Sequence, residues 1–439
     1  MRETSRSVGW VAAWLFSWTA ASLAGAADIP PTDPTSAPAK VVVDKGGLKI
    51  DSGDGAFQFR AWGRLHADGT LHVGETPSSS GGTNNDATDG TEIRRARFAM
   101  SAKAYEDFTW FGEVDFGDNE VAVTDFIVGY TGIERLNVTA GHQKQPYSLA
   151  VEMSSNDLPF TERSIDNDLI IPLINRAIGG RFEDYGEKWY VAGGFYGDSM
   201  AAQSQNATEG WGSAAKVVVT PILASDRVIH LGFRGAVRRP ENGNEGLRFR
   251  DQTTQMSDYH IVDTGTIEDI QEAALFGPEA AIAFGPFSLY GEYNRAHLTR
   301  KGADTLRFQS GHVAATWTLT GESRAAIYTI QTGEFKRLTP KNNFSIKNGG
   351  VGAWELAVRY AYVDLSSGSA SATASVVGGE EHALDTSLNW YLNPVVRFML
   401  DWKHVLETSM GEAAGAARVA RNQEGKGLNA FTFRAQFAF

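Results

Sequence analysis

Arginines are the side chains of this sequence with the clearest capacity for chemistry. Five of them occupy the polar positions of segments in which apolar and polar residues alternate: Arg64, Arg95, Arg97, Arg234 and Arg359. A guanidinium group presents a planar fork of N–H donors that matches the oxygens of a phosphate or a carboxylate. Arginines that share one face of several strands can therefore bind small anions. A solvated arginine, or one paired with an acid, is the alternative at each position.

Enzyme motifs do not accompany these arginines. The sequence contains no G-x-S-x-G, H-E-x-x-H, P-loop or G-x-G-x-x-G pattern. Its nine histidines are scattered, and only His297 stands two residues before a hydroxyl, that of Thr299. Acidic clusters at 84–89 and 166–168 fit either calcium loops or solvated turns. We expect no enzymatic activity, no cofactor and no metal.

The elements that must position the arginines are predicted strands. From residue 56 onward, stretches of alternating apolar and polar residues are separated by polar, Gly-rich breaks. The stretch 428–439 is the clearest, with Phe433 and Phe437 on one face and Arg434 and Gln436 on the other. The same alternation recurs at 57–66, 95–104, 108–116, 229–238, 354–362 and 396–403.

This alternation predicts an all-β, transmembrane antiparallel barrel. A strand at the edge of a soluble sheet is the alternative for 428–439, but no amphipathic helix is long enough to cover so many apolar faces. Lipid can cover them, provided that the sheet closes and leaves no edge. The charged face then lines a water-filled lumen. At roughly 24 residues per strand and connection, the chain from residue 56 to 439 predicts about 16 strands.

Six long breaks are candidate loops, at 67–91, 146–177, 239–270, 333–350, 365–380 and 407–427. The second is unusually apolar, since it contains Leu149, Phe160 and the run Ile170–Ile174. A solvated loop would not carry so many apolar side chains. We expect this segment to pack inside the barrel or against a neighbouring subunit.

The first residues predict export. Residues 1–26 combine two arginines, an apolar run and a small-x-small site ending at Ala26, as a cleaved signal peptide does. A membrane-anchoring helix is the alternative, but the apolar run is shorter than the ~20 residues that a span needs. Residues 27–55 form a Pro-rich periplasmic segment in which Val41–Val43 and Gly46–Gly47 predict a short strand or hairpin, and residues 56–439 form the barrel.

Composition excludes several classes of protein. The chain has 40 basic and 52 acidic residues, a net charge of −12, which argues against a nucleic-acid partner. Aromatic residues make up 11%, too many for a disordered chain, and the absence of cysteine excludes a disulfide framework.

An ordered series of short motifs resembles the phosphate-selective porins O and P. The motifs lie at 92–98, 114–116, 125–132, 141–144, 154–155, 161–164, 319–322, 352–356 and 388–393. The resemblance implies a 16-stranded barrel in the bacterial outer membrane, usually a homotrimer. It also implies a third loop that folds into the pore, and passage of inorganic phosphate or other small anions.

The resemblance also implies a constriction built from arginines and a positioning acid. The matching residues are Arg64, the pair Arg94 and Arg95, and Asp125, with Arg97, Lys103, Arg234 and Arg359 as possible further lumen residues. Arg94 is out of phase with the lumen face unless a β-bulge turns it inward. Where the family places pore lysines, this chain has Thr109 and Asn156, which puts strict phosphate selectivity in doubt.

The functional hypothesis is therefore a passive porin that favours small anions such as phosphate or polyphosphate. Two alternatives stay open. One is a general or weakly cation-preferring diffusion porin, and the other is a plugged barrel with a structural or adhesive role.

Overall fold

The computed structural model describes residues 37–74, 87–197, 209–240, 246–251, 254, 256–257, 260–368, 375–409 and 427–439. The predicted signal peptide lies outside these ranges, as do residues 84–86 of the acidic cluster at 84–89. None of the helices in the described residues is long and apolar enough to cross a membrane.

Strands make up most of the described chain. Their bounds are β1 (Lys40–Asp44), β2 (Gly47–Asp51), β3 (Phe57–Val73), β4 (Gly90–Ala104), β5 (Phe108–Asp115), β6 (Ala122–Ile133), β7 (Leu136–Lys144), β8 (Arg176–Tyr185), β9 (Trp189–Tyr196), β10 (Trp211–Ala224), β11 (Arg227–Arg239), β12 (Ile270–Phe284), β13 (Phe287–Arg300), β14 (Ala303–Thr318), β15 (Tyr328–Thr329), β16 (Glu334–Phe335), β17 (Ala353–Ser367), β18 (Val376–Tyr391), β19 (Val396–Ser409) and β20 (Asn429–Ala438). One α-helix, α1 (Leu149–Glu152), and 3-10 helices at Gly117–Asn119, Ile165–Asp168 and Arg324–Ile327 complete the described elements.

Sixteen of these strands, β3–β14 and β17–β20, form a closed antiparallel barrel, which confirms the predicted fold class. Each strand pairs with the next, and β20 returns to β3 with a register that runs from Asn429 opposite Val73 to Ala438 opposite Arg64. Next to this closure, β2 pairs with the start of β3, and β1 pairs with β2. Residues 40–51 therefore form a hairpin that extends the wall.

Burial in the wall is inverted relative to a soluble protein. On β20, Phe433 is 50% exposed and the neighbouring Arg434 is 0% exposed. On β11, Phe233 is exposed and Arg234 is buried in the same way. Apolar side chains therefore face outward and charged side chains face the lumen, as a wall between lipid and a wet interior requires.

The two ends of the barrel differ in the length of their connections. At one end the strands are joined by short turns, such as 134–135, 225–226 and 285–286, and we call it the turn end. At the other, the loop end, most connections are longer. In barrels of this kind the short turns are periplasmic. The exception is the connection 319–352 between β14 and β17, which is long although it lies at the turn end.

The connection between β7 and β8, residues 145–175, lies against the inner face of the wall, and we call it the inner loop. Its buried apolar side chains pack on apolar positions of the strands: Phe160 clusters with Ala314 and Ala357, and Ile165 and Leu173 belong to a cluster with Leu275 and Phe308. The apolar character of this segment is therefore explained by the surface that it covers.

Deleting Phe439 should weaken closure of the barrel. The backbone N–H of Phe439 donates to the carbonyl of Gly63 at 3.0 Å, and that of Gly63 donates to Phe439 at 3.1 Å. Losing both bonds should cost about 2 kcal/mol. We expect a smaller amount of folded, heat-modifiable protein in outer membranes. We also expect a lower unfolding temperature in detergent. Phe439→Tyr keeps both bonds and is the control; assembly and stability equal to the wild type in the deletion would contradict this role.

Candidate functional site

Wall side chains hold the inner loop in place from two sides. From β18–β20, Arg397 donates to the carbonyl of Leu158 at 2.8 Å, and Asn389 donates to that of Pro159 at 2.8 Å. From β13, the Glu292 carboxylate accepts from Ser148 Oγ at 2.6 Å and from the Ala150 N–H at 2.7 Å. The loop therefore rests on β12–β14 and β17–β20, and it leaves space beside β3–β8.

Two cavities occupy the lumen next to the inner loop. The larger, which we call the inner cavity, has a volume of about 580 Å³ and extends toward the turn end, where Glu334 and Lys336 line it. The smaller, the outer cavity, has a volume of about 310 Å³ and extends toward the loop end, where Glu92 and Lys403 line it. Arg95 and Arg163 line both cavities, so these two side chains mark the boundary between them.

The charges of the two cavities differ. Eight basic and five acidic side chains line the inner cavity: Arg64, Arg95, Arg97, Lys144, Arg163, Arg176, Arg181 and Lys336 against Glu113, Asp125, Glu152, Glu183 and Glu334. Five basic and six acidic side chains line the outer cavity: Arg94, Arg95, Arg163, Arg359 and Lys403 against Asp68, Glu92, Glu162, Asp168, Asp385 and Asp401. The inner cavity is therefore net positive and the outer cavity is close to neutral.

Arg64 lines the inner cavity from β3. Its Nη1 donates to Ser154 Oγ of the inner loop at 2.8 Å, and its Nη2 contacts the Glu113 carboxylate. Arg97 on β4 shares that carboxylate at 3.0 Å and reaches Asp115 at 2.5 Å. Two arginines and two acids thus form one ion-paired group, in which each guanidinium is fixed in position.

A β-bulge brings Arg94 and Arg95 to the same carboxylate. The register of β3 and β4 shifts at this point: His66 faces Arg95 and Ala67 faces Ile93, so Arg94 is the extra residue of the bulge. Arg95 holds Glu162 of the inner loop with two bonds of 2.9 and 3.0 Å, and Arg94 Nε reaches it at 3.1 Å. The structure thus has the bulge that an inward Arg94 requires.

Arg434 also contacts Glu162, at 2.9 Å, so three guanidinium groups surround one carboxylate. Partial burial raises the pKa of Glu162, but Arg95, Arg94 and Arg434 outweigh that effect and hold the pKa well below its usual range. Glu162 is therefore anionic throughout the physiological pH range and offsets part of the positive charge at the boundary of the cavities.

Asp125 lines the same cavity as Arg64 and Arg95, and its ion pair is with a different arginine. Its Oδ2 accepts from Nε and Nη2 of Arg176 on β8, at 3.0 and 2.9 Å. In the described chain, Glu113 positions Arg64, and Glu162 positions Arg94 and Arg95. The 161–164 motif contains Glu162, but the sequence does not place this acid beside β4, because the two become neighbours only when the inner loop packs inside the wall.

The remaining predicted lumen residues differ in whether they reach the two cavities. Arg359 lines the outer cavity, where it pairs with Asp385 at 2.8 Å and lies 4.1 Å above the Phe160 ring. Arg234 faces inward but is sealed behind the inner loop, with Glu292 at 2.8 Å and its side chain 0% exposed. It cannot meet a permeating ion. Lys103 is half-buried near the turn end of β4 and does not line these two cavities.

Arg163 is one of the basic cavity residues that the sequence did not single out. Its Nε donates to the carbonyl of Ala150 at 2.7 Å, and its Nη2 donates to that of Met153 at 2.7 Å. Backbone carbonyls hold it instead of a carboxylate, so within the described chain its charge is not cancelled by an ion pair. Its place in the 161–164 motif was the available signal, but the motif alone does not show that this arginine faces the two cavities.

Metal chemistry has no candidate group here. Among the described residues, no cluster of three or more His, Cys, Asp or Glu side chains could hold a metal ion. Asp166, from the acidic cluster at 166–168, instead accepts from His312 Nδ1 at 2.9 Å beneath the inner loop.

Comparison with known protein families identifies the family to which this barrel belongs. The family model described as phosphate-selective porin O and P matches residues 65–439. The chain belongs to this family. It is an outer-membrane porin, a channel and not an enzyme.

Relatives of this porin agree in sequence and in fold. Porin O of Pseudomonas aeruginosa is 24% identical over 81% of this chain and 85% of its own length. An uncharacterized protein of Caulobacter vibrioides is 28% identical over 85% of this chain and 73% of its own length. The solved anion-selective porin of Comamonas acidovorans matches 87% of this porin and all of its own chain, with a TM-score of 0.53 and 12% identity. OmpT of Vibrio cholerae in its trimer form matches 88%, and also all of its own chain, with a TM-score of 0.51 and 13% identity.

Glu162→Gln should raise the preference of this porin for anions. The change leaves three guanidinium groups without their shared carboxylate, so the boundary between the cavities becomes more positive. We expect the reversal potential in a KCl gradient across a planar bilayer to shift toward that of chloride. Glu106→Gln makes the same change in the exposed turn 105–107 and is the control; equal reversal potentials in both variants would show that Glu162 does not affect the passing ions.

Proposed function

We propose that this porin admits small anions by passive diffusion and favours phosphate-like substrates, including polyphosphate. The observation that carries the proposal is the boundary between the two cavities, where Arg95 and Arg163 line both spaces. An ion that passes from one cavity to the other moves past two guanidinium groups. We propose that the inner loop narrows the pore at this point.

Phosphate suits such a passage for chemical reasons. At neutral pH it carries one to two negative charges and loses part of its hydration shell in a narrow pore. Guanidinium donors replace the lost hydrogen bonds, often two at a time. The carboxylates of Glu113 and Glu162 weaken the net attraction, so that an anion can enter and still leave. The proposed substrate-binding residues are Arg64, Arg94, Arg95 and Arg163, with Asp125 acting through Arg176.

Lysines contribute less to the proposed passage than arginines. Asn156, which stands where a pore lysine is expected, lines the inner cavity and bonds His66 Nε2 at 2.9 Å. Lys144 Nζ lines the same cavity, but it donates to the carbonyls of Val151 and Glu152 at 2.9 and 3.0 Å. We infer that anion preference rests on guanidinium groups, and that selectivity for phosphate over other anions is moderate.

A specific observation favours the alternative of a general or weakly cation-preferring pore. The outer cavity has one more acidic than basic lining residue, and an ion entering from the loop end meets it first. Selectivity then depends on whether the outer cavity or the inner cavity limits the flow. The description of the matching family as phosphate-selective and the name of the anion-selective porin of Comamonas acidovorans support the anion proposal.

Arg163→Gln should weaken binding of phosphate while leaving the barrel intact. Loss of a charge-assisted hydrogen bond corresponds to about a tenfold rise in the phosphate concentration that half-blocks chloride current. Arg95→Glu should also shift the reversal potential toward that of potassium. Arg239→Gln, on the exposed end of β11, is the matched control. Wild-type block and reversal potentials in both variants would place the constriction elsewhere, and a potassium preference in the wild type would favour the alternative.

We also propose that the porin forms a homotrimer through its short strands. β5 and β9 have eight residues each, whereas β14 and β18 have 16. A tilted strand needs about 9–11 residues to span the hydrocarbon. The wall is therefore lowest around β5 and β9, which fall below this length, and a neighbouring subunit would cover the exposed Phe182 and Phe195 on β8 and β9.

Phe182→Ala combined with Phe195→Ala should lower the temperature at which the trimer dissociates. The change removes apolar area from the proposed contact, and unboiled gel mobility and chemical cross-linking measure it. Leu231→Ala with Phe233→Ala makes a comparable change on the tall wall and should leave dissociation unchanged. A wild-type protein that is monomeric in mild detergent would exclude the trimer.

A further inference from the structure

The connection 319–352 ends in a small hairpin on the outside of the barrel. Ser345 and Gly350 exchange backbone hydrogen bonds of 2.9 and 3.1 Å, which closes a turn over residues 346–349. The N–H of Phe344 donates to the carbonyl of Leu392, at 2.6 Å, in the turn between β18 and β19. Residues 341–351, which we call the rim hairpin, are therefore attached to the rim of the wall at the turn end.

One side of the rim hairpin is apolar and open. Ile346 is 90% exposed, the highest value among the large apolar side chains of the described residues, and Val351 is 57% exposed. The Phe344 ring lies 5.1 Å from that of Trp390, which stacks on Trp354 at 5.0 Å. Both tryptophans stand at outward positions of β17 and β18, so the hairpin continues the lipid-facing surface.

The polar groups of this region suit a membrane interface. The indole N–H of Trp390 donates to the carbonyl of Val351 at 2.9 Å, so this donor is satisfied without water. Lys341 and Lys347 are exposed on the same hairpin. Aromatic rings beside long basic side chains are typical of the level of the headgroups, where the ammonium groups reach lipid phosphates.

The position of the hairpin argues for lipid and against a second subunit. It lies at β17 and β18, which have 15 and 16 residues and can span the bilayer without help. The two short strands, β5 and β9, and the strands between them lie on the opposite side of the barrel. At the turn end, the adjoining leaflet is the periplasmic one, which consists of phospholipid.

We propose that the rim hairpin is a membrane-interface anchor. Ile346 and Phe344 insert at the boundary between acyl chains and headgroups of the periplasmic leaflet, and Lys347 binds phospholipid phosphates. This proposal does not depend on the ion selectivity of the channel.

Single cysteines can test the anchor, because the chain contains no native cysteine. Nitroxide labels on Ile346→Cys and, as the matched control, Asn348→Cys would be compared in the whole porin in vesicles of phosphatidylethanolamine and phosphatidylglycerol. Collision with oxygen, relative to a water-soluble nickel chelate, reports depth in lipid. We expect the ratio of oxygen to nickel accessibility to be several-fold higher at position 346. Adding Lys347→Glu should lower that ratio in these vesicles but not in phosphatidylcholine alone.

Three results would overturn the proposal. Equal nickel accessibility at both positions would place the hairpin in water. Protection of position 346 from both reagents, with dipolar broadening between labels, would place it against another subunit. If Lys347→Glu leaves the ratio of oxygen to nickel accessibility at position 346 unchanged, the headgroup contact is excluded.

Discussion

Backbone polar groups in the hydrocarbon have no water to bond, and this constraint determines the rest of the structure. The wall satisfies them by closing, with β20 paired along β3 from Asn429 to Ala438. Closure fixes which side chains face lipid and which face the lumen, because successive residues of a strand alternate. Exposed phenylalanines outside and buried arginines inside are consequences of one hydrogen-bonded ring.

A closed wall with charged side chains on its inner face creates a second requirement. Guanidinium and carboxylate groups inside a narrow lumen are costly unless they are paired or hydrated. The inner loop meets part of this requirement on one side of the barrel, where its backbone accepts from Arg397 and Asn389, and it leaves a cavity beside β3–β8. The asymmetry of the lumen, in which the larger cavity lies beside β3–β8 while the inner loop packs on β12–β14 and β17, thus follows from where the loop finds partners.

Much of the fold could be predicted because alternation is a local signal. The sequence of β20 or β11 reports its inward and outward faces without knowledge of any other strand, and strand count follows from length. The apolar residues of the inner loop also indicated that it needs a surface to cover. The long connection 319–352 at the turn end could not be assigned to an end of the barrel, since its composition resembles that of other loops. Strand heights, which separate the β5–β9 side from the β14–β18 side, depend on where pairing stops rather than on composition.

The candidate site was harder to predict from the sequence, because its side-chain contacts join segments that are far apart along the chain. Inward arginines could be named from alternation and resemblance, but their partners could not: Asp125 pairs with Arg176, and Glu162 comes from a loop that lies far from β4 in sequence. The bulge at Arg94 illustrates the reason. A single extra residue in β4 brings two adjacent arginines to one carboxylate, and only tertiary packing reveals whether that carboxylate is present. The charge that a passing ion experiences therefore depends on pairing, which explains why a chain with a net charge of −12 can enclose a net positive cavity.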